Sequence, residues 1–140
     1  MSTAEGLPHA EFAFPGPLRD ALVGAILDGR KRSTTSLAVE YALADEPFPI
    51  FGARQQVLDS EGRAAAVIET TGVRRVPLAE VDIDHARDEG EGYETVAEWR
   101  AGHESFWHSD QMRAALGDPG FTVRDDTPLV LERFRLVRRL

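Results

Sequence analysis

Apolar residues recur along this chain at two different periods, and the change from one to the other maps its elements. After Pro15-Gly16-Pro17, the residues Leu18, Leu22, Ala25 and Ile26 fall at helical spacing. Pro17 suits a first helical turn and Gly29 suits the stop after the last, so a helix is predicted between them. Thr34 to Leu37 can be extended, and Leu37 to Ala44 can form a short helix with Leu37 and Tyr41 on one side, ended by Pro47 and Pro49. The period then shortens. Gln55 to Leu58 and Arg63 to Ile68 flank Asp59-Ser60-Glu61-Gly62, a hairpin turn. The second strand continues to Val76, with Gly72 as a candidate bulge and Pro77 as its end. A last strand, Leu129 to Val137, turns Val130, Phe134 and Leu136 inward and lines its other side with arginines. Between them, a helix from about Glu94 to His108 places Val96, Trp99, His103 and Phe106 on one stripe, the usual mark of core contact.

At 140 residues the chain is the size of one compact domain. The small and polar residues 1 to 10 read as a loose terminus, leaving 11 to 140 as a single domain. No internal repeat or low-complexity tract is found. The net charge of −8 argues against a general nucleic-acid coat or an anionic-membrane binder, while leaving room for a local basic pocket. With no cysteine, disulfides, thiolate catalysis and cysteine-zinc sites are excluded. Nothing near Met1 resembles a signal peptide and no apolar run approaches a membrane span, so a cytoplasmic location is expected. His9, His85, His103 and His108 show no zinc-like spacing; no metal and no cofactor are expected.

Composition also isolates one residue. Of sixteen basic side chains only Lys31 is a lysine. It lies in Gly29-Arg30-Lys31-Arg32-Ser33-Thr34, just past a helix end. An ammonium that loses water beside cationic neighbours can shed its proton, which a guanidinium does not. The plainer reading is a phosphate contact or a helix cap. A second feature is the acidic stretch Glu80 to Glu98, with eight carboxylates against Arg87 alone. Most such runs are solvated faces, and most of this one is assigned that role. Trp99, Trp107, Phe51 and Tyr41 read as core residues before base-stacking platforms, and His103 fits a buried or a cleft position equally.

Three local features resemble the ASCH family, small domains related to the RNA-binding PUA fold. The family's Gly-x-Lys-x-x-Thr stands here as Gly29-Arg30-Lys31-Arg32-Ser33-Thr34. His85-Ala86-Arg87-Asp88-Glu89-Gly90-Glu91-Gly92 is similar to its acidic segment. Glu98-Trp99-Arg100 with His103 and Phe106-Trp107 looks like the longer bacterial members. Tyr93 departs from the acidic residue that often follows in those members, which would alter the mouth of a pocket. The resemblance covers about Phe12 to Val137. It implies an α+β fold: a PUA-like, partly open β-barrel with flanking helices and a cleft between them. Some members resemble amidohydrolases that remove an acyl group from a modified cytidine; others resemble ribonucleases or RNA-binding modules. Carried over from the amidohydrolase branch, the catalytic set is Lys31, Thr34 and Glu89, with Glu91 two residues from the last.

Amide hydrolysis needs a nucleophile, a donor for the oxyanion and an acid for the leaving amine. One route has Lys31, discharged by Arg30 and Arg32, activating the Thr34 hydroxyl, with Glu89 serving the leaving nitrogen. The other has Glu89 activating water, with Lys31 as a cation and Thr34 as a hydrogen-bond donor. Arg30, Arg32, Thr35, Glu91, Tyr93, Trp99 and His103 are the expected substrate contacts, and Thr35 could supply the pocket hydroxyl in place of Thr34. The substrate class expected is a nucleoside-like small molecule; alternatives are single-stranded RNA bound through Arg30-Lys31-Arg32 with Arg74 and Arg75, or cleaved there. The oligomeric state is left open.

Overall fold

Proline and glycine punctuation sets the first boundaries in the computed structural model, which describes residues 6–140. Helix α1 runs Pro17–Leu27, with Pro17 in its first turn. Gly29 then adopts φ 85°, and the chain folds back so that the Lys31 N–H reaches Ala25 O at 3.1 Å. Strand β1 is His9–Ala10, β2 is Ser33–Leu37, and α2 is Ala38–Ala44. The hairpin pairs β3, Arg54–Leu58, with β4, Ala64–Pro77. Asp59 closes its turn, its Oδ1 accepting from the N–H groups of Glu61 and Arg63. Helices α3 (Ile83–Asp88), α4 (Val96–Trp107) and α5 (Asp110–Leu116) precede β5, Pro128–Arg139.

The strands form one α+β sheet of order β1-β3-β4-β5-β2, antiparallel except for β1 against β3. Its register shifts between Thr70 and Gly72, at the glycine expected to mark a bulge. Residues of both edge strands, Ala10 and Thr34 to Ser36, line one cleft, so the sheet curls towards a barrel that its edges do not close. Both faces are covered. Leu37, Leu78, Ala86, Trp99, Leu129 and Leu131 form one core beneath α3 to α5. Phe12, Val23, Ile26, Val57, Ile68 and Phe134 form the other beneath α1.

Several expectations are corrected. The terminus predicted to be loose to residue 10 is tied into the sheet from Leu7: Gln56 donates from its side chain to Leu7 O and from its backbone to Pro8 O, and Ala10 is buried. Residues 1–5 lie outside the described part. Arginines fill the second face of β5 only beyond Leu131, because helices cover the earlier half. Phe51, read as core, is 79% exposed, and Tyr41 lies in the cleft wall with its ring edge-on to Phe48. Helices α3 and α5, of six and seven residues, are too short for periodicity to reveal them. No helix among the described residues is long and apolar enough to cross a membrane.

One buried cation secures the segment before α1. Arg19 is 3% exposed and donates to Phe12 O at 3.1 Å and Ala13 O at 2.8 Å. Arg19→Ala should strand both carbonyls and lower unfolding free energy by about 2–3 kcal/mol, read from urea melts. Arg63→Ala, at an exposed turn, should leave the midpoint nearly unchanged.

Candidate active site

The basic turn and the acidic stretch meet because the first caps the end of a helix in the second. Asp82 starts α3 by accepting the His85 N–H at 2.8 Å. At its C-terminal end the exposed carbonyls find donors 50 and more residues away. Ser33 Oγ donates to His85 O at 2.9 Å, the Arg32 N–H to Asp88 O at 2.7 Å, and Lys31 Nζ to Glu89 O at 3.3 Å. A cation at this helix end is favoured by the exposed carbonyl dipoles. The approach leaves no room at Gly90, where φ is 73° and a Cβ would lie 2.7 Å from Arg30 C and O and from Lys31 N.

Glu89, just past α3, is driven inside by this docking and is 1% exposed. Its Oε2 accepts from Thr35 Oγ1 and Trp99 Nε1, each at 2.7 Å, and lies 3.3 Å from His85 Nε2. Its Oε1 lies 3.2 Å from His103 Nε2 and 3.7 Å from Lys31 Nζ. Burial alone would raise this carboxyl. Hydrogen bonds from His103 and His85 and the Lys31 charge more than reverse that, holding it well below the usual range. For His103, burial favours the neutral ring, but the Glu89 bond and charge raise its pKa above the ordinary value. The other ring nitrogen, Nδ1, faces Trp99 O at 2.9 Å, so both nitrogens face acceptors, the setting of an imidazolium. Thr35 gives its one hydroxyl proton to Glu89, so its 2.8 Å contact with His85 Nε2 is a bond donated by the ring. That tautomer leaves His85 Nδ1 bare, a buried atom without a hydrogen-bond partner among the described residues.

Lys31, Glu89, Thr35 and His103 are thus brought together, and other expected contacts are not. Arg30 pairs with Asp28, and Arg32 with Asp88, both side chains more than 60% exposed. They turn away from the lysine, so the expected crowding by guanidinium groups is missing. Around Nζ stand oxygens instead: Ser33 O at 2.9 Å, the Glu89 main-chain O and Glu89 Oε1. Trp99 is fully buried, so it holds Glu89 and stacks on His103 at 4.2 Å, out of reach of a ligand. Thr34 lines the cleft but is paired across the ladder with Glu132, so strand alternation sets it on the other face from Thr35.

Glu91 is exposed at the mouth with its carboxyl turned inward. Burial of that group raises its pKa; Glu89 pushes the same way, against Lys31 and His103. Tyr93 shields the mouth, packing its hydroxyl on Gly102, where any side chain would collide with it. One oxygen each from Glu89 and Glu91 and one His103 nitrogen lie within 4.8 Å of one another. Histidine spacing in sequence gives no hint of such a trio, because two of its members are carboxylates. The hydrogen bonds of Glu89 and His103 to protein compete with any cation there.

The cleft, of about 900 Å³, has the size of a small-ligand site. Lys31 lies at its wall, 5.7 Å from the centre of the Phe12 ring. His85, buried behind Glu89, and Glu132, in the cleft lining, are residues to which the sequence reading gives no site role. Both carry a signal: His85 is one helical turn before Glu89, and Glu132 occupies an inward strand position between Val130 and Phe134.

A family model for the ASCH domain matches residues 11–138. An ASCH domain from Lactobacillus crispatus JV V101 is 30% identical with a TM-score of 0.75, over 93% of this chain and 80% of that one. A protein from Enterococcus faecalis V583 is 25% identical, TM-score 0.81, over 94% and 77%. An ASCH protein from Zymomonas mobilis, at 9% identity and TM-score 0.55 over 94% and 71%, shares the fold. No curated protein matches the chain.

Two measurements test this geometry. Gly90→Ala should cost roughly 1–2 kcal/mol for its left-handed backbone and about 1–3 kcal/mol for the collision, read as a lowered unfolding midpoint. By NMR titration His103 should protonate above its ordinary value, and Glu89→Gln should bring it down. The linked stability is fully present below the unfolded-state pKa and is lost as pH rises through the folded one, so Glu89→Gln should flatten that decline.

Proposed function

We propose, from the premise that this chain belongs to the ASCH domain family and has its PUA-like fold, that it is an amidohydrolase acting on an uncharged, nucleoside-sized substrate such as an acylated cytidine. The observation that carries this reading is the buried Lys31–Glu89 pair in the wall of the cleft. A fixed cation is suited to the oxygen of an amide as it gains charge. The carboxylates that line the rest of the cleft, Glu40, Glu46, Glu91 and Glu132, repel a polyanion. An uncharged substrate is therefore favoured over RNA, and Arg30 and Arg32 are not cleft contacts.

Two carboxyls pushed in opposite directions divide the work. Glu89 accepts several protein hydrogen bonds and is a weak base; its role is to hold Lys31, Thr35 and His103 in place. Glu91 is the better base. It takes a proton from water as the water oxygen bonds to the acyl carbon, while Lys31 faces the carbonyl oxygen. The C–N bond then breaks, and Glu91 returns the proton to the leaving nitrogen, giving a carboxylic acid and an amine. Thr34, whose hydroxyl makes no hydrogen bond within the described residues, binds the substrate, and Tyr93 closes over it.

Acetate release from N4-acetylcytidine tests the proposal. Lys31→Met and Glu91→Gln should each lower kcat/KM by about 10²–10⁴, whereas Thr34→Val should weaken it less than tenfold. The rate should rise with pH through the raised Glu91 pKa, and Glu91→Gln should abolish that limb. A Glu91→Gln enzyme with unchanged rate and profile would reject the assignment.

A further inference from the structure

Glu132 is a buried acid that the proposed reaction does not use. It is 7% exposed, on the strand next to β2, and belongs to the cleft lining. Its Oε2 accepts from Thr70 Oγ1 at 2.7 Å, and its other oxygen has no partner among the described residues. No cationic side chain pairs with it there. Burial raises its pKa, and the Thr70 bond only partly opposes this. Tyr41 lies close enough to feel its charge, and the cleft lining also carries Glu40 and Glu46. A buried carboxyl left without a counter-charge destabilises a fold, so a chain that keeps one has a use for it or has tolerated its cost. Strand register also sets it beside Thr34, on the face away from Glu89.

We propose that Glu132 is the centre of a second subsite in the cleft, whose free oxygen accepts a hydrogen bond from a phosphate-free part of the ligand. Two sources offer that chemistry, a ring hydroxyl at 2′ or 3′ and the 5′ hydroxyl; the exocyclic amino group is the scissile nitrogen of the proposed reaction and lies towards Lys31 and Glu91. A phosphate there would meet Glu132, Glu40 and Glu46 without a cation to balance it. The inference rests on the cleft being the ligand site of the proposed function, but not on the hydrolysis.

Equilibrium titration of the whole chain with cytidine, 2′,3′-dideoxycytidine and uridine, in wild type and Glu132→Gln, separates the sources. In the variant the amide oxygen can accept from Thr70, which turns the NH₂ group into the cleft, donor against donor. Wild type should bind cytidine, and Glu132→Gln should bind it at least tenfold more weakly while melting at a higher temperature. If the 2′ or 3′ hydroxyl is the donor, dideoxycytidine should be insensitive to the substitution and uridine as sensitive as cytidine; if the 5′ hydroxyl is, all three should weaken alike. Stability up with affinity down is what a binding carboxylate predicts and a structural one does not. The inference is overturned if wild type binds none of the three, if affinities are unchanged in the variant, or if the variant melts lower or fails to fold. A chain that binds with this preference and hydrolyses nothing keeps the subsite and loses the proposed reaction.

Discussion

A single carboxylate removed from water organises one side of this molecule. An isolated anion as deeply buried as Glu89 would be very costly, and a lone protonated carboxyl would be the ordinary outcome. Here donors from three elements converge on it: Thr35 from β2, Trp99 and His103 from α4, and Lys31 from the turn after α1. Each donor also fixes its element against α3. The ion is therefore both a joint between elements and the electrostatic centre of the cleft. Removing any partner would leave the rest facing an under-compensated charge.

Close backbone contact makes that convergence possible. Three carbonyls at the end of α3 are satisfied by Lys31, Arg32 and Ser33, and the glycine at position 90 lets the two backbones touch. The lysine meets the acid because its neighbours along the chain bond to the helix end, with Coulomb attraction helping. Specific hydrogen bonds define the distance, and at close range in a water-poor wall each charge then acts with little screening.

Long periodic elements were legible before any coordinates: α1, the 55–76 hairpin with its glycine bulge, α4 and β5 all follow from spacing and punctuation. Features set by tertiary contact were not. Seven of the eight acids between Glu80 and Glu98 are outside the core and one is inside, and composition treats them alike. Lys31 has two arginines beside it in sequence, yet each is drawn outward by an aspartate, so neighbours in the chain are not neighbours of its amine. Thr34 and Thr35 differ by one position, and in a strand that single step decides which acid a hydroxyl meets. Family likeness located Lys31 and Glu89 in one pocket; the pairing of Thr35 with Glu89 required the register.

The cleft thus has two unlike ends. At one, an acid is surrounded by donors, carries its charge at any ordinary pH and has little capacity left for a ligand. At the other, Glu132 has a single hydroxyl donor and an oxygen without a partner among the described residues. The Thr34 hydroxyl, without a hydrogen bond among the described residues, lies on the Glu132 face. The proposed substrate matches this gradient, with a polarisable carbonyl towards Lys31, donor groups towards Glu132 and no phosphate. The Arg30 and Arg32 side chains, which would have argued for a nucleic acid, spend their charge on Asp28 and Asp88 at the surface. Selectivity in such a site follows from polarity along the cleft more than from its volume, because an incorrectly oriented ligand would set donor against donor at one end and acceptor against acceptor at the other.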